Sequence, residues 1–359
     1  MRTTLPPLRA DIHPNDEMFK VARQTLQKES AARIEYFRQG SQIHETIRQI
    51  ALWRFGEMWR ISKYLEFACG FGRSTRFLVR ELPPSKIWVS DIYSDAVDFQ
   101  KETFGVQGFA SKTDPDQLVC ESGYDLIFVA SLFTHLPAPR FEAWLKRLFT
   151  LLSAKGVLAF SVHDQALAPG EKLPNCGILF RSESESESLK KDEYGTNIVT
   201  CAYVQSAIEK ATNIGWKYRR LPRALCGAHD VYLVSKDTDI DFSSLAYSLP
   251  LMGYCEGIIS RSEGVFEVSG WAGNPNDGAG VAFVQIYVNH CLVASVKPEL
   301  SRPDVSDVLS RPEFSNAGWQ TSFVHSGSDL SSTLIEVVAV SQNGSETLLH
   351  LGPLTSFAM

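Results

Sequence analysis

The sequence predicts an α/β domain with a doubly wound parallel sheet, followed by an all-β sandwich. Two observations lead to this prediction. From Ser62 onward, short apolar runs alternate with segments of helical apolar spacing, which is typical of a parallel sheet with helices on both faces. After Asp241 the helical spacing disappears, and short alternating strands separated by turn residues replace it. A length of 359 residues suits two such domains.

The α/β part is predicted to alternate strands and helices. Apolar runs place strands at Tyr64–Ala68, Ile87–Ser90, Leu126–Ala130 and Val157–Val162, and Trp216–Arg220 and Val231–Val234 are strand-like. Helices are expected around Ser74–Glu81, Ser94–Thr103, Arg140–Leu152 and Tyr203–Ile214. Before the sheet, residues 16–60 show helical spacing, and Gly40 is expected to separate two amphipathic helices that cover it.

The chain is predicted to divide into three parts. Residues 1–60 form an N-terminal arm and helical cap, residues 61–240 form the α/β domain, and residues 250–359 form the sandwich. Within the α/β domain, residues 164–195 break the rhythm of strands and helices, and residues 164–200 are expected to be an insertion. The acid–serine run at 182–188 cannot bury an apolar face, so we expect it to be exposed.

The sandwich is expected to contain about one hundred residues, a usual size for that class. Its clearest strand patterns are Val265–Val268, Phe283–Val288 and Ile335–Val340. Asn343-Gly344 follows the last of these and predicts a hairpin with a type I′ turn.

Composition excludes several classes of protein. A formal net charge of −6 argues against a general nucleic-acid binder, which normally has a basic surface. The seven cysteines are scattered without a CxxC pair, so we predict neither disulfides nor a metal site, and a reducing cytoplasm as the compartment. No apolar stretch approaches the roughly 18 residues of a membrane span, so a soluble protein is expected.

A glycine-containing turn is the strongest sign of a ligand site. Gly70 and Gly72 follow the first strand, at the sheet edge where α/β proteins bind ligands, and without Cβ atoms they allow close approach to the backbone. Glu66 stands at the end of that strand, and Asp91 ends the next. A carboxylate at Asp91 is placed to accept hydrogen bonds from both hydroxyls of a ribose.

Two kinds of nucleotide fit this pattern. A dinucleotide-binding turn requires a third glycine, but Thr75 occupies that position. Glu66 would also repel a diphosphate. S-adenosylmethionine has no phosphate and carries a cationic sulfonium and an ammonium, so the pattern favours this methyl donor over a dinucleotide.

The same residues resemble a known family. LEFACGFGRST (residues 65–75) resembles motif I of class I S-adenosylmethionine-dependent methyltransferases, VSDIY (89–93) their second-strand motif, and YDLIFVASLFTHLP (124–137) their fourth-strand motif. The resemblance covers about residues 30–235, and it implies that the insertion at 164–200 is a substrate lid. It implies a Rossmann-like seven-stranded sheet and S-adenosyl-L-methionine as the cofactor.

The resemblance also implies which residues hold the donor. The methionine part is assigned to Glu66 and to the backbone at Ala68, Gly70 and Gly72, the ribose to Asp91, the adenine to Ile92, and a further contact to Ala130. Two positions depart from the family. Ala68 replaces the first motif glycine, for which we expect a slight backbone shift. The usual acid after the third strand is absent, so Ser111 or a backbone group is expected to hold the adenine amino group.

Histidines at strand ends are the candidate catalytic residues. A hydroxyl acceptor benefits from a general base, and His163 and His135 follow the fifth and fourth strands. A structural hydrogen bond at the start of a helix is the alternative role for His135. Tyr194 and Thr196, beside the acidic run, and His229, before the last strand, are the candidate substrate contacts.

Short motifs in the C-terminal part resemble a second module. Gly270-Trp271-Ala272, Arg302-Pro303-Asp304-Val305 and Gly318-Trp319 are similar to a small β-sandwich appended to bacterial enzymes of surface-polysaccharide pathways. That resemblance implies O-methylation of a sugar or glycan. A small metabolite as the substrate and a non-catalytic donor-binding scaffold remain alternatives, and homo-oligomerisation stays open. Two roles remain open for Trp271 and Trp319, which are stacking on a sugar ring and packing in the core.

Overall fold

The computed structural model describes residues 3–183, 189–212, 217–276, 280–355 and 357–358. The chain folds into two compact units. One comprises Arg9–Glu17 and Thr46–Tyr247, and the other Met1–Leu8, Met18–Glu45 and Ser248–Met359. The division into residues 1–60, 61–240 and 250–359 stays a prediction. Within the described residues, no helix has both the length and the apolar character needed to cross a membrane.

The N-terminal helices are α1 (Glu17–Leu26) and α2 (Glu29–Phe55). The predicted break at Gly40 is wrong, because Gly40 lies buried inside α2. The chain turns instead at Gln27, whose φ is 56°. A glycine inside a helix costs only about 1 kcal/mol relative to alanine, and buried Tyr36 and Phe37 precede it in the same helix. Packing therefore outweighs the local preference of the glycine.

The α/β unit contains a seven-stranded sheet, as predicted. Its elements and an associated hairpin are β1 (Tyr64–Phe67), α3 (Thr75–Leu78), β2 (Ile87–Asp91), α4 (Ser94–Phe104), β3 (Gln107–Ala110), β4 (Tyr124–Val129), α5 (Ala138–Thr150), β5 (Leu152–Val162), β6 (Ile178–Arg181), β7 (Thr196–Val199), α6 (Cys201–Thr212), β8 (Tyr218–Leu225) and β9 (His229–Ser235). The strand order is β3-β2-β1-β4-β5-β9-β8. The first five strands are parallel, and β9 runs antiparallel to both of its neighbours.

The core of this unit lies on both faces of the sheet. All four residues of β1 are buried, and α5 contributes a buried stripe that includes Phe141, Trp144 and Leu148. Because strand side chains are used for packing, ligand-binding groups are confined to the carboxyl ends of the strands.

The insertion contains structure that the sequence pattern did not predict. Strands β6 and β7 pair as an antiparallel hairpin, with Ile178 opposite Val199 and Arg181 opposite Thr196. The exposed residues Ser182 and Glu183 follow β6, whereas the rest of the predicted acid–serine run, 184–188, lies outside the described residues. Apolar residues flank the acidic run on both sides, and these residues form the hairpin.

The C-terminal unit contains two antiparallel four-stranded sheets, which confirms the predicted sandwich. Their orders are β14-β11-β10-β17 and β13-β12-β15-β16. The elements are β10 (Met252–Ser262), β11 (Val265–Gly273), β12 (Val281–Val288), β13 (Cys291–Val296), α7 (Pro303–Leu309), β14 (Gly318–Val324), β15 (Leu334–Ser341), β16 (Glu346–Pro353) and β17 (Phe357–Ala358). Trp319 lies in the core between the sheets, and Trp271 packs near Phe314. Both tryptophans are buried, so they serve the core and offer no face to a sugar.

The hairpin between β15 and β16 is confirmed, but its predicted turn type is wrong. A type I′ turn needs positive φ at both central residues. Here Gly344 has a φ of 83° and Asn343 does not share the positive φ. The Gly344 amide donates to the carbonyl of Ser341 at 3.1 Å, and the Ser341 amide donates to that of Ser345 at 2.9 Å. The turn is therefore a type I turn followed by a glycine bulge.

Candidate functional site

The turn from Ala68 to Ser74, called the glycine turn below, is tied to β1 by Glu66. Glu66 is buried, and its two carboxylate oxygens accept hydrogen bonds from the hydroxyls of Ser74 and, at 2.8 Å, Thr75. Burial raises the pKa of the Glu66 carboxyl, whereas these two hydroxyls and nearby Arg73 lower it. Where a dinucleotide-binding turn has its third glycine, this chain therefore has a threonine whose hydroxyl binds Glu66. Direct contact between Glu66 and a donor stays a prediction.

Ala68 has a φ of 57°, in the left-handed region that favours glycine. The slight backbone shift expected from its replacement of a glycine stays a prediction. A non-glycine residue in this conformation costs roughly 1–2 kcal/mol. The turn therefore holds Ala68 in a strained conformation.

The two glycines of the turn have different tasks. A Cβ atom on Gly72 would lie 2.5 Å from the ring of Phe104 and 3.0 Å from Gln100, so packing against α4 excludes any side chain. A Cβ atom on Gly70 would meet nothing within 4 Å. Gln100 donates to the Gly70 carbonyl at 2.7 Å and holds this residue in place. Gly70 therefore faces open space, on the side from which a ligand can approach.

Asp91, the last residue of β2, joins the two strand ends. Its carboxylate accepts hydrogen bonds from the amides of Gly70 at 2.8 Å and Tyr93 at 3.1 Å. Burial raises the pKa of the Asp91 carboxyl, and these amides lower it. The amide of Ser111 donates to the Asp91 carbonyl at 2.7 Å, which brings the end of β3 to the same place. Half-buried Ile92 follows Asp91 directly.

The sheet topology places these residues on one edge. Gly70, Asp91 and Ser111 follow or end adjacent parallel strands, and Ala130 directly follows β4 at the same edge. The fold thus brings the predicted donor residues together, while their contacts with a donor stay predictions.

A buried arginine supports the glycine turn and was missed by sequence reasoning. Arg76 is fully buried, and its guanidinium donates to the carbonyls of Gly72 at 3.0 Å, Arg9 at 2.8 Å and Asp11 at 2.9 Å. The ring of His13 stacks on Phe71 of the turn, with 4.5 Å between ring centroids and 6° between planes. Residues 9–13 therefore lie against the glycine turn.

Three histidines, called the histidine cluster below, meet at the same edge of the sheet. His135 follows β4, His163 follows β5, and His229 begins β9. Because β9 is antiparallel to β5, its first residue lies beside the end of β5. The Nε2 atoms of His163 and His229 are 3.0 Å apart, and the ring centroids of His135 and His163 are 6.5 Å apart.

The carboxylates beside two of these histidines bind an arginine. Asp164 and Asp230 both form ion pairs with Arg220, at 2.9 Å and 2.6 Å. Successive side chains along an extended chain point to opposite faces. Asp164 and Asp230 are therefore directed away from the face on which His163 and His229 lie. Burial lowers the pKa of His229 to about 3, and the neighbouring His163, His135 and Arg73 add to this effect. His229 is therefore neutral at physiological pH.

The insertion contributes two contacts to His135. The ring of Tyr194 stacks on His135, with 4.7 Å between centroids and 18° between planes. The Gly195 amide donates to the His135 carbonyl at 2.8 Å, and His135 Nδ1 lies 2.7 Å from the Gly195 carbonyl oxygen. The hydroxyl of Thr196 donates to the carbonyl of Glu183 at 3.1 Å. Of the two predicted substrate contacts in the insertion, only Tyr194 is shown in contact with the histidine cluster.

Asn197 is a second residue that sequence reasoning missed. It is fully buried in β7, and its amide donates to the carbonyls of Phe133 at 2.8 Å and Leu136 at 2.7 Å, on either side of His135 in sequence. Nothing in the local pattern of TNIV distinguishes this asparagine from an exposed one. Its partners lie more than 60 residues away along the chain.

A comparison with family profiles and a comparison with solved structures each found similar proteins. A family profile described as a methyltransferase domain matches residues 65–158. Similar solved structures include an S-adenosylmethionine-dependent methyltransferase from Clostridium acetobutylicum ATCC 824, which is 12% identical over 55% of this chain and 91% of that chain, with a TM-score of 0.40. The plantazolicin methyltransferase BpumL in complex with SAH is 13% identical over 61% of this chain and 95% of that chain, also with a TM-score of 0.40. No curated protein sequence matches the chain.

The profile spans β1 to β5, which include the glycine turn, Asp91 and His135. It coincides with the three motifs that resemble the class I enzymes, and the seven-stranded sheet has the fold that this resemblance implies. Residues 65–158 therefore lie in a methyltransferase domain, for which S-adenosyl-L-methionine is the methyl donor.

Proposed function

We propose that this methyltransferase O-methylates a sugar or glycan in a bacterial surface-polysaccharide pathway. The observation that carries the hydroxyl part is the histidine cluster, which lies on the same sheet edge as the glycine turn. A hydroxyl is a weak nucleophile, and a positioned base that accepts its proton accelerates its reaction. The sugar part is supported by the resemblance of the C-terminal sandwich to modules of surface-glycan enzymes.

The residues at the sheet edge fit the donor. When bound, S-adenosyl-L-methionine supplies a methyl group that is already activated by the sulfonium. In the proposal, the open space beside Gly70 admits the donor, Asp91 holds the ribose, and Ile92, Ser111 and Ala130 surround the adenine end. Glu66, Ala68 and Gly72 give the turn its shape.

The histidine cluster is proposed to receive the acceptor. His135 and His163 are the candidate bases, and Tyr194, Thr196 and His229 are the candidate acceptor contacts. In this scheme the protein aligns the hydroxyl with the methyl carbon, excludes water and accepts one proton. A cytoplasmic location and a homo-oligomeric state also stay predictions.

A small metabolite with a hydroxyl group is the second candidate acceptor. One observation favours it: Trp271 and Trp319 are both buried in the sandwich, so neither offers the aromatic platform that sugar rings commonly use. The two candidates differ only in the acceptor, and the same assay separates them.

Calorimetry with S-adenosylmethionine and its demethylated product tests the donor site. We expect Asp91→Ala to weaken binding roughly 100-fold, because a hydrogen bond to a charged group contributes about 1.5–3 kcal/mol. Asp304→Ala, which removes an exposed carboxylate of the sandwich, is the matched control and should bind normally. A wild-type protein that binds neither compound would contradict the donor site.

Radiolabelled methyl transfer into glycan extracts and small-molecule extracts tests the acceptor. Label in the glycan fraction supports the primary proposal, and label in the small-molecule fraction supports the second candidate. Donor binding without transfer into either fraction would contradict both and favour a donor-binding scaffold.

A further inference from the structure

A segment near the N-terminus binds the glycine turn through a buried arginine. Residues 9–16, called the N-terminal strap below, form neither helix nor strand and belong to the same compact unit as the sheet. Nη1 of Arg76 donates to the strap, at the carbonyls of Arg9 and Asp11. Nε of the same guanidinium donates to the turn, at the carbonyl of Gly72. One fully buried cation therefore fastens the strap to the turn.

The second half of the strap adds an aromatic contact. The ring of His13 stacks on Phe71 of the turn and meets Phe99 of α4 edge-on, with 5.1 Å between the centroids of the latter pair. The strap itself fixes this ring, because the Asn15 amide donates to His13 Nδ1 at 3.1 Å and the Asp16 amide donates to the His13 carbonyl at 3.0 Å. His13 thus joins the glycine turn to α4.

A hydrogen bond extends the strap to the first turn of α4. The side-chain amide of Asn15 donates to the Asp95 carboxylate at 3.2 Å. Asp95 is a near neighbour of Asp91, since burial raises the pKa of the Asp91 carboxyl and the charge of Asp95 adds to that rise. The strap therefore reaches the surroundings of the residue that is proposed to hold the ribose.

The two elements that the strap joins border the proposed donor site. The glycine turn presents Gly70, and α4 begins at Ser94, three residues after Asp91. A site whose walls are held in place before the ligand arrives binds more tightly, because less ordering accompanies binding. Contacts that fix the turn relative to α4 can therefore raise the affinity for a donor that they do not touch.

We propose that the N-terminal strap is a positioning element of the donor site, which holds the glycine turn against α4 and so raises the affinity for the methyl donor. The inference rests on the proposed placement of the donor beside Gly70. His13 and Arg76 are its positioning residues, since they act on the donor through Phe71 and Gly72. Coupling of this kind is reciprocal, so the bound donor also holds the strap in its docked position.

Hydrogen exchange of the full chain tests this coupling without any variant. The amides of Asn15 and Asp16 are hydrogen-bonded within the strap, so their exchange reports its opening. We expect a saturating amount of the demethylated product of the donor to slow both amides at least about threefold. The amides of β12, in the sandwich, are the control and should exchange equally with and without the product. Unchanged exchange at Asn15 and Asp16 would overturn the proposal.

Two substitutions at His13 test the aromatic contact. His13→Ala removes the stacked pair and should weaken binding of the demethylated product about fivefold in calorimetry. His13→Phe keeps a flat ring against Phe71 and should bind within about twofold of the wild type. His325→Ala removes a histidine of the sandwich and is the matched control, with normal binding expected. Wild-type affinity in His13→Ala, or an equal loss in both His13 variants, would contradict positioning by the ring.

Arg76→Lys tests the arginine that the strap and the turn share. Lysine keeps the charge but has one nitrogen in place of the fork that bonds both segments. We expect about 10-fold weaker binding of the demethylated product and faster exchange at Asn15. Arg54→Lys alters a partly buried arginine that donates to the carbonyl of Lys155 in β5, and it should change neither measurement.

Wild-type affinity and exchange in Arg76→Lys would refute the role of this arginine. If that variant fails to fold, exchange in the wild type and the two His13 variants still decide the proposal. Calorimetry of Asp91→Ala separates the strap from the donor site. A wild type that binds neither donor nor product would remove the donor site itself. Binding that Asp91→Ala weakens, together with unchanged exchange in the strap, would refute the strap alone.

Discussion

The glycine turn and the histidine cluster occupy the same edge of one sheet but are built differently. The donor side consists of residues 66–111, and its key contacts join neighbouring turns, such as Gly70 with Asp91. The histidine side gathers residues from 135 to 229, and its contacts span 34 to 66 positions. The first is a backbone turn held by side chains such as Glu66, Asp91 and Arg76, and the second is a group of side chains that distant elements bring together.

The two sides also differ in their buried titratable groups. The donor side holds two carboxyls whose pKa values are raised by burial. The histidine side holds His229, whose pKa burial lowers. Burial favours the neutral form in every case, and acidification therefore acts on the two sides with opposite sign.

Gly72→Ala is the most damaging change that we expect on the donor side. The new Cβ would overlap Phe104 and would also require an unfavourable left-handed backbone. We expect a loss of about 2–4 kcal/mol in the free energy of unfolding, measured by urea denaturation. Gly70→Ala, where the space is open, is the control and should lose only about 1–2 kcal/mol. Equal stability of the two variants would show that packing against α4 does not set the turn.

Lowering the pH from 7 to 5 should destabilise the histidine side. The pKa of His229 is about 3 in the folded protein, against an ordinary value of 6.5. The unfolded chain therefore binds the proton first, and stability is lost as the pH falls below 6.5. The expected loss from this residue is up to about 1.4 kcal/mol per pH unit.

Stability measured at several pH values also distinguishes the donor side from the histidine side. Glu66 and Asp91 have raised pKa values, so their contribution is largest at low pH and is lost as the pH rises. In His229→Asn, urea unfolding at pH 7, 6 and 5 should therefore show a smaller acid loss than in the wild type. An unchanged acid loss would mean that His229 does not stay neutral in the folded protein.

Ala68→Gly should produce the smallest effect, and a favourable one. Glycine relieves the left-handed strain at φ 57° but adds flexibility to the unfolded chain. We expect a net gain of roughly 0.5–1 kcal/mol in the free energy of unfolding. Ala143→Gly, within α5, is the matched control and should lose about 1 kcal/mol. A loss in both variants would indicate that the turn does not strain Ala68.

The contrast explains what could be predicted from the sequence. Apolar spacing within a short segment predicts the strands at Tyr64 and Ile87 and the buried stripe of α5. The helix break predicted at Gly40 is wrong because the burial of this glycine within α2 outweighs its local preference. The type I′ turn predicted at Asn343-Gly344 is wrong because a type I turn with a bulge uses the same dipeptide. The strands of the insertion have only four residues each, so their apolar spacing does not distinguish them from a loop.

The residues of the candidate site also fall into two groups, those that local spacing reveals and those whose contacts come from distant parts of the chain. Gly70 and Asp91 are recognisable because their spacing and their place at strand ends are fixed by the fold. Asn197 and Gly195 were missed because their tasks arise only when β7 meets the segment around His135. Arg76 was missed because its acceptors, the carbonyls of Arg9 and Asp11, belong to a stretch with no regular pattern.

The contacts of Arg76 bear on how this enzyme should be prepared. A fragment begun at residue 61, where the recognisable α/β pattern starts, would remove two of the carbonyls that satisfy a fully buried guanidinium. A hydrogen bond from a charged donor contributes about 1.5–3 kcal/mol, so the loss of both is destabilising. Trimming the chain to its recognisable part would therefore damage the glycine turn, although the cut lies outside every donor motif.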